Sequence, residues 1–273
     1  MDFRFSVLMS VYIKENPEYF RECMKSILTQ TLLPDEIVLV EDGPLTKELT
    51  AEIEAWKEKC NIPFQSVKLK RNKGLGLALA EGIKFCSYDL IARMDTDDIC
   101  VPDRFEKQIQ VFKENPDLDI LGSHITEFEG HITNVLSVRK VPLKQEEIKK
   151  YQRRRSAFNH MTVMYKKKSV LKAGNYKNAP LMEDDLLWCE MLHTGAVGMN
   201  LDTSLVYART GKAMVQRRGG WQYFCKYCKG RRKILNTGYI TKIDYCITCL
   251  AQLIVSLMPL SLRSVFFSKM LRQ

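Results

Sequence analysis

Acidic residues all but vanish from the last quarter of this 273-residue chain. Residues 203–273 hold 13 Lys and Arg against one acid, Asp244, and no acid occurs from Thr203 to Ile243. The other 202 residues carry 29 basic and 31 acidic groups, so the net charge of +10 belongs to the C-terminal end alone. So one-sided a block suits an anionic partner, whether nucleic acid, anionic lipid or a polyphosphate. Other absences narrow the class. No secretion signal is visible, because the apolar stretch Phe5 to Tyr12 is short, follows Asp2 and Arg4, and lacks a small-residue cleavage site. The nine cysteines, an odd number, are then expected as reduced thiols in a cytosolic setting. No run reaches the ~20 mostly apolar residues of a membrane span. The longest uncharged stretch near the C-terminus, Tyr245 to Leu262, is diluted by Gln252 and by Ser and Thr, and Pro259 interrupts it. There is no repeat, no low-complexity tract and no Pro/Gly/Ser-rich linker. With 45% hydrophobic residues the chain can bury a sizeable core, as one large α/β domain or two small ones.

What is present alternates. Phe5 to Tyr12 reads as a buried strand. Pro17 to Gln30 reads as a helix, with Phe20, Cys23, Met24, Ile27 and Leu28 on one face. Strands over Glu36 to Val40, Gln65 to Lys70 and Leu90 to Met94 follow, separated by helices over Thr46 to Lys59 and Gly74 to Phe85. A helix over Pro102 to Asn115 closes the series. Four strand–helix alternations in ~115 residues predict a parallel sheet wrapped by helices. Beyond Asp119 the pattern is mixed. It suggests a hairpin of Ile120 to Phe128 with Thr133 to Val138 around Gly130, a short strand Val163 to Tyr165, a helix Asp184 to Leu192, a basic helix Gly219 to Leu235, and an apolar stretch Ile240 to Leu257.

The polar groups collect at strand ends, where open α/β sheets bind ligands. Ser10 and Tyr12 end the first strand and Asp42 the second. Asp95, Asp97 and Asp98 follow the fourth within four residues. Carboxylates so close repel one another unless solvated or shared by a cation, and hard oxygen ligands suit Mg²⁺ or Mn²⁺. Asp42 can accept from a base N–H or a ribose hydroxyl, and reads equally as a turn residue before Gly43-Pro44. Arg71-Asn72-Lys73-Gly74-Leu75-Gly76 sets basic groups and glycines before a helix start, which suits phosphate or serves as a plain turn. Glu183-Asp184-Asp185 by itself is an acidic helix N-terminus.

Taken in order, Ser6-Val7-Leu8-Met9-Ser10-Val11-Tyr12, Val40-Glu41-Asp42-Gly43, Asn72-Lys73-Gly74-Leu75, Arg93-Met94-Asp95-Thr96-Asp97-Asp98 and Met182-Glu183-Asp184-Asp185-Leu186-Leu187-Trp188 resemble the motif series of family 2 glycosyltransferases. The likeness is to bacterial members that build O-antigen, capsule and exopolysaccharide, and it covers Phe5 to Tyr207. Glu41, Pro44 and Ile13 depart from the usual residues. The resemblance implies a GT-A fold, a mostly parallel sheet flanked by helices, over residues 1–215, with a helical, basic extension over 216–273. It implies an inverting, single-displacement transfer of a hexose, glucose or galactose, from a UDP-sugar to a sugar on a polyprenyl diphosphate. By analogy the linkage is β-1,3 to GlcNAc or GalNAc on diphospho-undecaprenol. Ser10, Tyr12 and Asp42 would hold the nucleotide, and Arg93 and Asp95 the ribose and diphosphate. Asp97, with Asp95 nearby, would hold Mn²⁺ or Mg²⁺. Asp184 would be the general base. His160, Glu183 and Trp188 would lie near donor or acceptor. No nucleic-acid partner is implied.

Inversion agrees with two separate carboxylate groups, one to take the acceptor proton and one to hold a metal on the leaving diphosphate. A lipid-linked acceptor needs an apolar anchor and cations. The C-terminal quarter offers both, with Arg209, Lys212, Arg217 and Arg218 nearest the predicted catalytic part. The last helices are expected to lie in the interface on the cytoplasmic face of the inner membrane, or else to form a buried hairpin or an oligomer contact. Two other readings stay open. Cys225-x-x-Cys228 and Cys246-x-x-Cys249, 17 residues apart, have zinc-ribbon spacing, although the second pair sits in an apolar run without a turn residue. With Trp221, Tyr223, Phe224 and Tyr227 among Lys and Arg they would suit a nucleic-acid module. A nucleotidyltransferase is the remaining enzyme alternative.

Overall fold

The computed structural model describes residues 3–210, 219–259 and 262–263. Arg217, Arg218 and Lys212 lie outside the described residues, as does the 215/216 boundary. The expected alternation is observed: β1 (Phe5–Val11), α1 (Pro17–Leu28), β2 (Glu36–Glu41), α2 (Lys47–Lys59), β3 (Phe64–Lys68), α3 (Leu75–Phe85) and β4 (Leu90–Arg93). Strands β3, β2, β1 and β4 pair in parallel in that order. β1 and β2 are buried on both faces, as parallel strands covered by helices must be. α1 begins where Asn16 accepts the amide of Glu18 at 2.9 Å and Pro17 supplies a pre-set φ. Its apolar face sends Phe20, Cys23, Met24 and Ile27 into the core beneath the sheet.

The second half continues the same sheet. After β5 (Ile99–Cys100) and α4 (Arg104–Glu114) come β6 (Ile120–Phe128), β7 (Val135–Arg139), α5 (Gln145–Gln152), a 3-10 turn at His160–Thr162, β8 (Met164–Lys166), α6 (Lys167–Lys172), α7 (Glu183–His193) and β9 (Gly198–Arg209). β8 runs antiparallel to β4, β6 antiparallel to β8, β9 parallel to β6, and β5 antiparallel to β9. The expected hairpin forms, with β7 antiparallel to β6. α8 (Trp221–Asn236) and α9 (Lys242–Leu257) make a C-terminal helical hairpin. α8 packs on α7 through a small core of Met182, Leu186, Cys189, Ile234 and Ile240. The parallel strands all point their C-terminal ends to one edge, which brings the residues after β1, β2 and β4 together. α7 starts near that edge.

Candidate active site

The loop after β4 is built around buried charge. Arg93 is almost fully buried, and its Nη2 donates to Asp95 Oδ1 at 2.5 Å. Its Nε and Nη1 have no hydrogen-bond partner among the described residues. Buried donors left unpaired are costly, so these two point to an anionic acceptor. Oxygens of Asp95, Asp97 and Asp98 lie within 4.8 Å of one another. Burial, then the charges of Asp95 and Glu15, push Asp97 up to about 7. Burial, then the charges of Asp97 and Asp95, raise Asp98 as well, against a hydrogen bond from the Arg209 backbone. Three mutually repelling, partly desolvated carboxylates are a donor set that fits a hard divalent cation.

Two straps hold that loop. Glu15, in the turn after β1, accepts the Asn16 amide at 2.8 Å and the Thr96 hydroxyl. Arg209, the last residue of β9, holds the other side. Its amide donates to Asp98 Oδ1 at 2.7 Å, its Nε to the Asp97 carbonyl at 3.0 Å and its Nη1 to the Gly130 carbonyl at 2.8 Å. Nη2 pairs with Glu22, and the guanidinium lies 3.9 Å over the Tyr19 ring. Arg209 was expected as a cation for lipid phosphate. Its donors are instead committed to the loop, so that reading is corrected.

Asp42 has a structural task at the site's edge. It reaches the edge, but it is buried, and its two oxygens accept the amides of Lys73 at 2.7 Å and Gly74 at 2.9 Å. It shapes the turn into α3, the alternative the sequence left open. Ser10 is half-buried and Tyr12 exposed at the same edge.

At the start of α7, Asp184 is half-buried, and burial together with Asp185 and Glu183 pushes its carboxyl up to about 7. That poises it to exchange a proton near neutrality. Glu183 Oε2 has no partner among the described residues, and burial raises its pKa. α3 abuts this helix start at Gly76, where a Cβ would sit 2.8 Å from Glu183 Cβ and 2.8 Å from the Lys177 carbonyl. Gly76→Ala is therefore expected to destabilise the protein by about 1–3 kcal/mol through overpacking. The ~1 kcal/mol gain in helix propensity does not offset that. A lowered melting midpoint checks it, and a midpoint at or above the parent's would show that the contact yields.

His160 is buried and its Nε2 lies 2.9 Å from the Tyr176 hydroxyl. Burial and the nearby Arg93 charge hold the imidazole well below its usual pKa, so it is neutral at pH 7. Trp188, expected near donor or acceptor, is fully buried and packs on Phe158, His160, Tyr165 and Tyr176, with ring centroids 5.8–6.4 Å apart. It is a core residue that supports His160 and Tyr176 from beneath. Glu15, Thr96 and Tyr176 were missed as site residues and carried no visible signal, whereas Asp98 was visible in the acidic run without a role of its own. Cys228 of α8 meets Cys249 of α9, with Cys225 near, but no three of the four C-terminal cysteines come within metal-sharing distance of one another among the described residues. Among the described residues the one group of three or more metal-capable side chains is Asp95, Asp97 and Asp98, which removes the zinc-ribbon reading.

A mixed α/β sheet whose strand ends gather a carboxylate cluster, with a second carboxylate poised apart from it, defines a group-transferring enzyme of GT-A-like fold. The chain belongs to glycosyl transferase family 2, whose model matches residues 6–174. A Haemophilus influenzae protein described as an uncharacterized glycosyltransferase is 45% identical over 241 residues, 85% of this chain and 89% of that one. An Escherichia coli protein named UDP-Gal:alpha-D-GlcNAc-diphosphoundecaprenol beta-1,3-galactosyltransferase is 37% identical over 270 residues, 99% of this chain and 97% of that one. The crystal structure of S. aureus TarS 1-349 in complex with UDP-GlcNAc shares the fold, with a TM-score of 0.63, 18% identity, and coverage of 85% of this chain and 67% of that one. Against a longer TarS chain this protein spans 43% of the length. Family membership sets aside the nucleic-acid module and the nucleotidyltransferase.

Proposed function

We propose that this glycosyltransferase moves galactose from UDP-galactose to GlcNAc on diphosphoundecaprenol, forming a β-1,3 bond with inversion. The step belongs to O-antigen, capsule or exopolysaccharide assembly. The observation that carries the reading is the separation of two carboxylate sites, Asp184 at the start of α7 and the Asp95–Asp97–Asp98 cluster after β4. The near full-length E. coli relative supports the donor, acceptor and linkage.

Each residue then has a task. Tyr12 and Ser10 flank the nucleotide at the end of β1. Arg93 turns its two unpaired N–H groups to the diphosphate, while Asp95 fixes its orientation. Asp97 and Asp95, with Asp98 behind them, would hold a divalent ion, Mn²⁺ or Mg²⁺, which when bound would supply positive charge to the leaving diphosphate. Asp184 takes the proton of the acceptor hydroxyl as its oxygen attacks the anomeric carbon opposite the departing UDP. His160, kept neutral, and Tyr176 form the floor of the sugar site. Incubating the protein with UDP-galactose and GlcNAc-diphosphoundecaprenol tests this, with UDP-glucose as comparator. A β-linked galactosyl product is expected, and no product with either donor would overturn the reading.

The acceptor places the reaction at a membrane surface, and α9 supports contact with one. Ile243, Ile247, Leu250, Ile254 and Leu257 recur at helical spacing and are 42–69% exposed, a continuous apolar stripe. No helix among the described residues is long and apolar enough to cross a membrane. On this reading α9 lies in the interface on the cytoplasmic face of the inner membrane, with the basic residues of α8 towards anionic headgroups. Leu250→Glu with Ile254→Glu is expected to lower co-sedimentation with anionic vesicles at least tenfold, since each buried Leu or Ile contributes about 1.5–3 kcal/mol. The melting midpoint should stay put, as both side chains are exposed. Undiminished vesicle binding would turn the stripe to another role.

A further inference from the structure

A lipid-diphosphate acceptor needs cations at a fixed distance from the base, and the residues first expected to supply them do not: Arg209 is committed to the metal loop. The structure shows another set. Three consecutive arginines, Arg153 to Arg155, follow the end of α5. Arg153 donates to Asp244 Oδ2 through Nε at 3.0 Å and Nη2 at 2.6 Å, and Arg154 donates to Oδ1 through Nε at 2.8 Å. Thr241 adds its hydroxyl and amide to Oδ2, at 2.7 and 3.2 Å. Asp244 is buried; burial opposes its ionisation, but the bonds from Thr241, Arg154 and Arg153 prevail and hold its carboxyl well below the usual range.

The donors outnumber what Asp244 can accept. Two guanidinium groups offer ten N–H bonds, and a carboxylate has about four acceptor positions, two of which Thr241 already contests. The side chains of Arg153 and Arg154 remain 43% and 55% exposed. Behind them Arg231 of α8 is fully buried. Its Nη2 donates to the Arg153 carbonyl at 2.7 Å, and its Nε has no partner among the described residues. Two guanidinium groups thus share the one carboxylate of Asp244, with the third, Arg231, set behind the Arg153 carbonyl, a surplus of positive charge held in place by the fold.

The position of this surplus is informative. Gln152, the residue before Arg153, donates to Asp185 Oδ1 at 3.0 Å, and Asp185 is next to Asp184 on α7. On the other side Ile243, next to Asp244, begins the apolar stripe of α9. The molecule therefore presents, in order, a carboxylate base, a guanidinium cluster and an apolar track. A sugar diphospholipid has the same order: hydroxyl-bearing sugar, two phosphates, hydrocarbon. We propose that Arg153 and Arg154, backed by Arg231, bind the diphosphate of the lipid-linked acceptor and direct its lipid along the α9 stripe. Guanidinium groups suit the role because they meet phosphate oxygens in bidentate pairs.

This assignment rests on the acceptor proposed above, and the test separates the two. Two acceptors carrying the same GlcNAc are compared, one linked through diphosphate to undecaprenol and one an uncharged alkyl glycoside. The parent enzyme is expected to favour the diphosphate in kcat/KM. Arg154→Gln should lower that preference about tenfold, and Arg153→Gln with Arg154→Gln about 100-fold, as losing one or two charge-assisted hydrogen bonds implies. The loss should appear in KM for the diphosphate acceptor, with KM for UDP-galactose moving less than twofold. Arg154→Lys should restore part of it. An unchanged preference in Arg154→Gln, which leaves Arg153 on Asp244 and the fold intact, overturns the arginine site alone. A parent enzyme without the preference overturns the diphosphate acceptor, and the site with it.

Discussion

Asp184→Asn is expected to reduce kcat about 10³-fold, the range a positioned general base supplies, while UDP-galactose still binds. The amide keeps the size and the hydrogen-bonding shape of the side chain but cannot take a proton from the acceptor. The pH profile gives a second readout. With its carboxyl pushed up to about 7, Asp184 is protonated and inactive below that value and becomes competent as pH rises through it. The parent kcat/KM should climb about tenfold per pH unit below 7 and flatten above. The Asn variant should lose that limb. A variant that transfers at near the parental rate would remove Asp184 as the base and turn attention to Glu183, the other carboxylate of the helix start whose pKa burial raises.

The second large effect falls on the donor side. Asp97→Ala is expected to abolish metal-dependent binding of UDP, read by calorimetry with and without Mn²⁺. In the parent, Asp97 is pushed up to about 7 by burial and by the charges of Asp95 and Glu15, which a bound cation would relieve. Removing the carboxylate removes a ligand and leaves Asp95 paired to Arg93 alone. Equal binding of UDP in the presence and absence of Mn²⁺ by the parent would show that Arg93, rather than an ion, carries the diphosphate. Binding that survives in Asp97→Ala with the metal dependence intact would move the ion to Asp95 and Asp98.

The parallel half of the sheet was legible because its strands are short apolar runs between helices whose apolar residues recur every three or four positions. β9 was not. Asn200, Asp202, Thr203 and Ser204 dilute its apolar pattern, and its long partner β6 lies some 80 residues earlier, with register shifts between them. α5 reads Gln-Glu-Glu-Ile-Lys-Lys-Tyr-Gln and buries only Ile148 and Gln152, too few to show a periodicity. The metal loop announced itself through carboxylate spacing. The straps that hold it, Glu15 and Arg209, could not be read, because each acts on residues about 80 or 110 positions away in sequence. Asp42 shows the limit of reading single positions: the sequence offers a carboxylate at a strand end, and only the structure shows its two amide contacts in the turn into α3. Trp188 shows the same on the apolar side, since a motif neighbour of Asp184 faces inward.

The close seat of α8 on α7 bears on how such enzymes diversify. At Gly230 the two elements approach so nearly that a Cβ would lie 2.5 Å from Met182 Cγ, the residue just before Glu183. Ile234 fills the adjoining space against Leu186 and Cys189. A graft that exchanged the C-terminal hairpin for that of a distant cousin would have to bring a small residue at 230 and matching side chains on α7. The portion proposed to meet the lipid and the portion that carries Asp184 are thus fitted to each other side chain by side chain. A change in either partner of the seam is therefore tolerated more readily as a single matched substitution than as an exchange of the whole hairpin.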